Sequence, residues 1–517
     1  MTNPLVEMFD GFPIFQQFTL GKLQDAEVMA FTSVYPNLYF MIKHFGIAED
    51  DSHIATYSGY LGAAYLLGEY ISSSYWVKAS NKYGRKTILL YGLASTAFSL
   101  LIFGFSTNFY MALLARFFMG LCGGKSQVYR NTMEEIALEG RHKHHALTSL
   151  SQNWTSGILM GYFFGGLSSL SYKSDIKYDG SLLSKYPFLL SNLIIISVIV
   201  AEIIMGWLFL EETHEQIKYV RDIGLEKGDS IRRMLGFQVP ERPWQLREQD
   251  PKVDQQPFDD NMKLTERHVV PYQIRNDSVY TPEESSTDTE TYEEFESVRS
   301  LATWNRIINN YMLCFQNTFF FEFFPIFLAS PLREGDLKFP FQIKGGFSYN
   351  AYGIGMLTFL AGYIGSVFEV PLSIIRVYFG RKCVAGIALL VYPITYFLLP
   401  LYLFTSHEYN KGISKSLANL LLVVNISVVW LFKSFTFPSY QSYFDISSSK
   451  EQRRPTNSYS IRFITLAKCA TPIIGGWMIS IFDAQGYGGT PWWILSVWST
   501  MTLLHSIYID RRSVALA

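Results

Sequence analysis

Asn81-Lys82-Tyr83-Gly84-Arg85-Lys86 is a short basic stretch between two apolar runs, one ending near Val77 and one beginning near Thr87. Lys78, Lys82, Arg85 and Lys86 in one short loop form the pattern of a cytosolic connection between membrane-spanning helices. The chain repeats the arrangement at Arg376-Val377-Tyr378-Phe379-Gly380-Arg381-Lys382, again between apolar runs. Two copies of one loop imply a chain built from two related halves.

Working outward from these loops, a bilayer-crossing helix needs about 20 apolar residues. Such runs occupy 19–43, 54–77, 87–106, 109–132, 147–170, 187–210, 304–329, 349–372, 383–404, 414–437, 457–482 and 490–509. The expected fold is an all-α polytopic membrane protein of twelve transmembrane helices in two six-helix halves, 19–210 and 304–509. Bases also gather at Arg141 and Lys143, at Lys450, Arg453 and Arg454, and at Arg511 and Arg512, all on one side of this arrangement. The opposite side carries Glu49-Asp50-Asp51 and Asp175 with Asp179. Residues 1–18, the tail 510–517 and the insert 211–303 are therefore expected in the cytosol.

Composition agrees with a membrane protein. The 517 residues are 49% hydrophobic and only 17% charged, against about 25% charged in soluble proteins. A net charge of −1 gives no reason to expect nucleic acid as a partner. Cys122, Cys314, Cys383 and Cys469 lie in or beside apolar runs without metal-ligand spacing. Arg141-His142-Lys143-His144-His145 has a spacing that fits no closed zinc site and reads as a basic anchor. Residues 1–17 lack the layout of a cleavable signal. No Walker loop, dinucleotide fingerprint or hydrolase elbow occurs. No metal, cofactor or enzymatic activity is expected, so any pumping draws on an ion gradient.

The insert 211–303 is polar and proline-punctuated, with an amphipathic helix expected near Glu215–Leu235. From Thr281 to Val298 it carries Glu283, Glu284, Asp288, Glu290, Glu293, Glu294 and Glu296 and no base. Such a segment cannot bury a core and is expected to be largely disordered. It reads as a tether, or as a segment regulated by phosphorylation.

These features resemble the major facilitator superfamily, over nearly the whole chain. Gly-Arg-Lys follows spans 2 and 8. Arg116-Phe117-Phe118-Met119-Gly120 resembles the family's Arg-x-x-x-Gly motif in span 4. Gly157-x-x-x-Gly161-Tyr162-x-x-Gly165-Gly166 resembles the antiporter motif of span 5, with Tyr162 in place of a kinking proline. Thr471-Pro472-Ile473-Ile474-Gly475-Gly476 mirrors it in span 11 and keeps the proline, and Glu211-Glu212-Thr213-His214 resembles the family's exit from the first half. Tyr35–Lys43, Phe324–Leu328, Gly345-Gly346-Phe347 and Lys433–Ser439 are similar to a fungal and plant branch that includes the zinc-induced facilitators and lies near drug-efflux members.

The resemblance implies a secondary transporter of small solutes, working as a monomer in a lipid bilayer and rocking about a midplane site. It implies proton-coupled export or vacuolar sequestration, with the vacuolar membrane favoured over the plasma membrane. A uniporter or importer of the same fold, or a non-transporting sensor that signals through the insert, stays open. In the family the basic loop reads Gly-x-x-x-Asp-Arg/Lys-x-Gly-Arg-Lys and latches the cytosolic side. Val77 and Asn81 here replace the Gly and the Asp, which makes the latch of Asn81, Gly84, Arg85 and Lys86 weaker than a charge-assisted one by about 1–2 kcal/mol. Gly380, Arg381 and Lys382 form its second copy.

Charges within spans are costly and tend to face a cavity or one another. Glu27, Glu69, Arg116, Lys125, Glu322 and Lys468 lie deepest, while Asp25, Glu369, Lys433 and Arg462 are near enough to helix ends to snorkel. By resemblance spans 1, 4, 7 and 10 line the cavity. Glu27, Arg116, Lys125, Arg130 and Glu322 are then the coupling and cavity candidates, with a Glu27–Arg116 pair as proton carrier. Lys125 follows Arg116 by about 2.5 turns and points to the opposite side of a continuous helix. Lys125 and Arg130 either favour an anionic substrate or pair with Glu27 and Glu322. Gly157, Gly161, Gly165 and Gly166 form a small-residue stripe that allows close helix approach, expected at the interface between the halves, and Pro472, Gly475 and Gly476 are its counterpart.

Overall fold

The computed structural model describes residues 13–137, 140–167, 185–237, 239, 241–245, 301–332, 335, 337–379, 381–406, 409–410, 412–447 and 453–515. Its helices are α1 (Ile14–Thr32), α2 (Leu38–Phe45), α3 (Ile54–Tyr83), α4 (Arg85–Gly104), α5 (Phe109–Gly123), α6 (Ser126–Ile136), α7 (Gly140–Gly166), α8 (Leu189–Phe209) and α9 (Ile223–Met234). The second half supplies α10 (Leu301–Ala329), α11 (Ala351–Phe379), α12 (Arg381–Leu398), α13 (Lys415–Ser447), α14 (Arg453–Ala484) and α15 (Thr490–Ala515). Among the described residues β pairing is confined to isolated bridges such as Lys338 with Gln342.

Each expected span interval contains helix among the described residues. Arg85–Gly104, Leu189–Phe209, Ile307–Ala329, Ala351–Phe368, Lys415–Lys433 and Phe463–Ala484 are each long and apolar enough to cross a bilayer on composition alone. Local chemistry explains where helices break. Pro36 has no N–H to continue α1, which stops at Thr32 and passes through a 3₁₀ turn, Tyr35–Asn37, into α2. The expected span 109–132 is two helices. Asn108 caps α5, accepting from the Met111 N–H at 2.9 Å. Gly123-Gly124 ends α5, and α6 restarts at Ser126.

The halves join along two helix pairs, α3 with α14 and α7 with α11. The polar links between α3 and α14 sit at the ends away from the basic loops. Ser52 donates to Asp483 at 2.7 Å, Thr56 to Ser480 at 2.7 Å, and the Trp477 indole to the Tyr60 hydroxyl at 3.0 Å. Asp483 also accepts from the Gly345 N–H at 2.8 Å, which ties the loop before α11 into the same seal. An aromatic core runs beside it, with Phe320 stacked on Phe324 at 5.0 Å and Trp492 edge-on to Phe319. The first half keeps a separate core around Leu20, Leu89, Met119 and Ile195.

The stretch 211–245 is not a bare tether. Arg242 is buried between Asp229, at 2.5 and 2.7 Å, and Glu211, at 2.6 Å, while Gln16 and Glu211 exchange two hydrogen bonds. Asp222 caps α9, shorter than the helix expected over Glu215–Leu235, by accepting from the Leu225 N–H at 3.0 Å. The acidic run Thr281–Val298 lies outside the described residues.

Candidate transport site

The break between α5 and α6 positions the first charged group. Lys125 lies in the break itself, so its side chain does not follow the register of Arg116. It is fully buried, and its ammonium reaches the Glu27 carboxylate of α1 at 3.2 Å. The same nitrogen donates to the Cys122 carbonyl at 2.5 Å, a carbonyl freed by the end of α5, and lies 5.3 Å from the Trp76 ring. Gly92 of α4 leaves room for the lysine stem. Tyr129 of α6 donates to the Leu23 carbonyl at 3.1 Å and fixes α1 beside the pair. One oxygen of Glu27 has no hydrogen-bond partner among the described residues.

Arg116 is held differently. It is fully buried on α5, donates to the Phe31 carbonyl at 3.3 Å, and faces the rings of Tyr65 at 5.0 Å and Phe31 at 5.6 Å. Its Nε and Nη2 have no hydrogen-bond partner among the described residues. Glu322 of α10 is also fully buried, and neither carboxyl oxygen is hydrogen-bonded among the described residues. Its carboxyl crosses the interface to lie against Gly62 of α3, where any side chain would displace it.

The backbone beside Glu322 carries its own signature. Pro325 lies inside α10 and cannot donate to the carbonyl four residues earlier, that of Phe321. The Tyr162 hydroxyl of α7 donates to this carbonyl at 2.6 Å. The residue that stands in for a kinking proline in the first half therefore satisfies a carbonyl that a proline orphans in the second.

At the basic end, Gly84 adopts φ +95°, in the left-handed region that suits glycine, and a Cβ there would strike the Glu212 carboxyl. That carboxylate accepts from the N–H groups of Arg85 at 2.8 Å and Lys86 at 3.1 Å, so an anion sits on the N-terminus of α4. Arg85 pairs with Glu135 at 2.9 Å and also donates to Ser80 and Asn81. Thr213 donates to Glu135 at 2.5 Å, and a His214 ring nitrogen meets the Asn81 carbonyl at 2.8 Å. Lys86 bridges to Asp222 at 2.6 Å. A cleft of about 780 Å³, walled by Tyr91, Trp207 and Trp244, lies between this loop and the stretch 211–245.

The sequence profile of the Major Facilitator Superfamily matches residues 26–368. The chain belongs to this superfamily of membrane transporters. It is 27% identical to the major facilitator superfamily multidrug transporter mfsB of Aspergillus fumigatus, over 97% of the chain and 84% of the relative. It is 33% identical to the zinc induced facilitator-like 1 protein of Arabidopsis thaliana, over 36% of the chain and 39% of the relative. In fold it is similar to a mutant of the nucleoside transporter NupG, with a TM-score of 0.60 at 12% identity, covering 96% of the chain and 99% of that structure. It is thus an integral, multi-pass membrane protein of a family whose members bind small molecules within the bilayer.

Within this family fold the candidate residues sort into groups, one of which is the Lys125–Glu27 pair that the sequence held open as an alternative. The acid of Glu27 goes to Lys125 and not to Arg116, because the break at Gly124 redirects the lysine. Arg130 joins neither: it pairs with Glu134 one turn on along α6, at 3.1 Å. The glycine stripe also divides. Gly157, Gly161 and Gly165 pack on α1 of their own half, at Val28, Thr32 and Ser33, and only Gly166 reaches Ala351 and Gly355 of the other. In α14, Gly475 receives Phe319 and Phe323 of its own half, while Gly476 and the Pro472 carbonyl meet α3. Adjacent glycines on a helix point about 100° apart, so each pair serves two interfaces. Glu212, Glu135 and His214 complete the loop network and were missed as site residues; the acids after span 6 were the available signal. Gly380 and the side chains of Arg381, Lys382 and His142 lie outside the described residues.

Proposed function

We propose that this chain is a proton-coupled exporter, moving small organic solutes out of the cytosol by alternating access. Glu322 carries the reading. An ionised carboxylate with no hydrogen bond in a dry site is costly, and this one lies where the halves touch, against Gly62 and without a hydrogen-bond partner among the described residues. Separation of the halves admits water to Glu322, and their closure removes it, so the charge of the group is tied to the motion. Similarity to a multidrug transporter supports export. The preference for the vacuolar membrane over the plasma membrane rests on the branch resemblance.

Proteoliposomes with an acidic interior test this, with ethidium as a cationic probe and 2-naphthoate as an anionic one. The gradient is expected to raise accumulation of at least one probe about tenfold. Glu322→Gln is expected to abolish that rise and leave downhill exchange. Gradient-driven accumulation unchanged in Glu322→Gln overturns the coupling, and flux of neither probe overturns transport of these classes. The sensor alternative draws on the docking of residues 211–245 against Lys86, and binding without flux would favour it.

A further inference from the structure

The short helix α9 is pressed against the end of a bilayer-crossing one. α8 is long and apolar enough to span the membrane, and Glu211 and Glu212 follow it at once, so its last turn marks the membrane boundary on the side of the basic loop. The contact is made through glycines. A Cβ at Gly224 would lie 2.4 Å from the Trp207 carbonyl oxygen, and one at Gly228 would lie 1.9 Å from that of Leu208. The step from Gly224 to Gly228 rises about 6 Å along α9, whereas that from Trp207 to Leu208 rises about 1.5 Å along α8. α9 therefore crosses α8 instead of running along it, and lies near the membrane plane. Its far end reaches the start of α1, where the Arg232 guanidinium faces the Phe15 ring at 4.1 Å and the Phe209 ring at 5.2 Å.

At about 100° per residue, the side chains of α9 fall into three sectors. Gly224, Leu225, Gly228 and Asp229 form the packed sector and are buried. Glu226, Ser230 and Arg233 form a polar one. The third holds Ile223, Ile231 and Met234 with Lys227 among them, and all are exposed, Met234 to 87%. A helix standing in water turns polar residues outward over its whole unpacked surface. The apolar sector instead continues a surface that faces lipid: Val200, Ile204 and Trp207 of α8 are exposed, as are Ile14, Phe15 and Phe18 of α1. Lys227 extends to within 5.4 Å of the Trp207 ring. A lysine stem beside a tryptophan is suited to the headgroup level, where each buries an apolar body and keeps a polar tip in water.

We propose that α9 is an interfacial helix, with Ile223, Ile231 and Met234 inserted into the phospholipid leaflet on the basic-loop side. Lys227 lies at the level of the lipid phosphates, and Glu226 and Arg233 turn to water. Burial of the apolar side chains drives the insertion. The occupant is lipid because the sector sits at the height where α8 leaves the bilayer, and a protein seated there would have to displace lipid from Ile204 and Trp207 as well. The helix is also tied to the gate loop: its cap Asp222 bonds Lys86 at 2.6 Å, and Arg242 links its Asp229 to Glu211. Leaflet, α9 and basic loop thus form one connected unit of the first half. The inference rests on the chain crossing a bilayer and is independent of what the chain carries.

The test places an environment-sensitive fluorophore on Met234→Cys or Arg233→Cys of the full chain in phosphatidylcholine nanodiscs. The unsubstituted chain, carried through the same labelling, supplies the background from the native cysteines. Each label is challenged with lipid bearing a nitroxide high on its acyl chain, and separately with aqueous iodide. An interfacial apolar face lies about 5–10 Å into the headgroup and acyl boundary, so the Met234→Cys label is expected to be quenched by the nitroxide lipid and protected from iodide about threefold relative to Arg233→Cys. The Arg233→Cys label is expected to show the reverse preference. Ile231→Cys supplies the second apolar position should Met234→Cys fail to fold. Equal access of iodide to both labels would put the apolar sector in water and overturn the proposal. Protection from iodide without quenching by the nitroxide lipid would show a protein cover, from this chain or a second copy, and would overturn it as well.

Discussion

Glu27 and Glu322 are both glutamates buried inside helical spans, yet the molecule treats them in opposite ways. Glu27 stays within its own half, 3.2 Å from a fully buried lysine whose nitrogen is also held by a backbone carbonyl. Glu322 crosses to the other half, lies against a glycine, and has neither oxygen bonded. A matched pair inside one rigid body has no reason to change as the bodies move. An unmatched acid at the contact between bodies changes surroundings whenever they do. The difference separates a structural charge from a working one.

The comparison can be broken most forcefully at Lys125. Lys125→Met strands Glu27 in an apolar site, and the expected loss is about 3–5 kcal/mol of stability. The double variant with Glu27→Gln should recover most of it, and a thermal melt in detergent reads both. If the single variant melts with the wild type, Glu27 is not a structural charge. Glu322→Gln should move the same melt far less, by under about 1 kcal/mol or toward greater stability, since no bond is lost. A large destabilisation there would show that Glu322 has a partner in the resting protein after all.

Smaller effects sharpen the picture. Tyr162→Phe leaves the Phe321 carbonyl without its donor, and about 1 kcal/mol of stability should go with it. Because that bond joins the halves, it should also raise cysteine labelling of a Ser52→Cys variant at the sealed end. Unchanged labelling would confine Tyr162 to local packing. Asn81→Asp gives the smallest expected change. Asn81 is already engaged by Arg85 and His214 within its own half, so the added charge should strengthen that network by about 0.5 kcal/mol. A marked shift of cytosolic cysteine accessibility in Asn81→Asp would instead show that this position reaches the other half.

Much of this was legible in the chain. The first basic loop, the apolar runs, Arg116 and the glycine motifs are local patterns that can be read off the chain, while the second loop at Gly380 lies outside the described residues. The sequence offered Lys125 with Glu27 only as one alternative, and the Glu134 partner of Arg130 was not legible. Lys125 was referred to an unbroken helix, and the turn at Gly123-Gly124 altered where it points. The glycine stripe was expected between the halves because spacing reports that a helix can be approached closely, and not which helix approaches. Glu212 went unassigned because its target, the N-terminus of α4, lies far away in sequence.

The sequence by itself determined the apolar spans, the two-half plan and the set of charged groups that must be accommodated in the membrane. These follow from transfer free energies, which depend on composition and short spacing. Only the tertiary structure decided that Lys125 neutralises Glu27, that Tyr162 serves the carbonyl Pro325 leaves open, and that Glu322 has no hydrogen bond among the described residues. Those outcomes depend on which helices meet and at what height, and a hydrogen bond or ion pair exists only within a few ångströms.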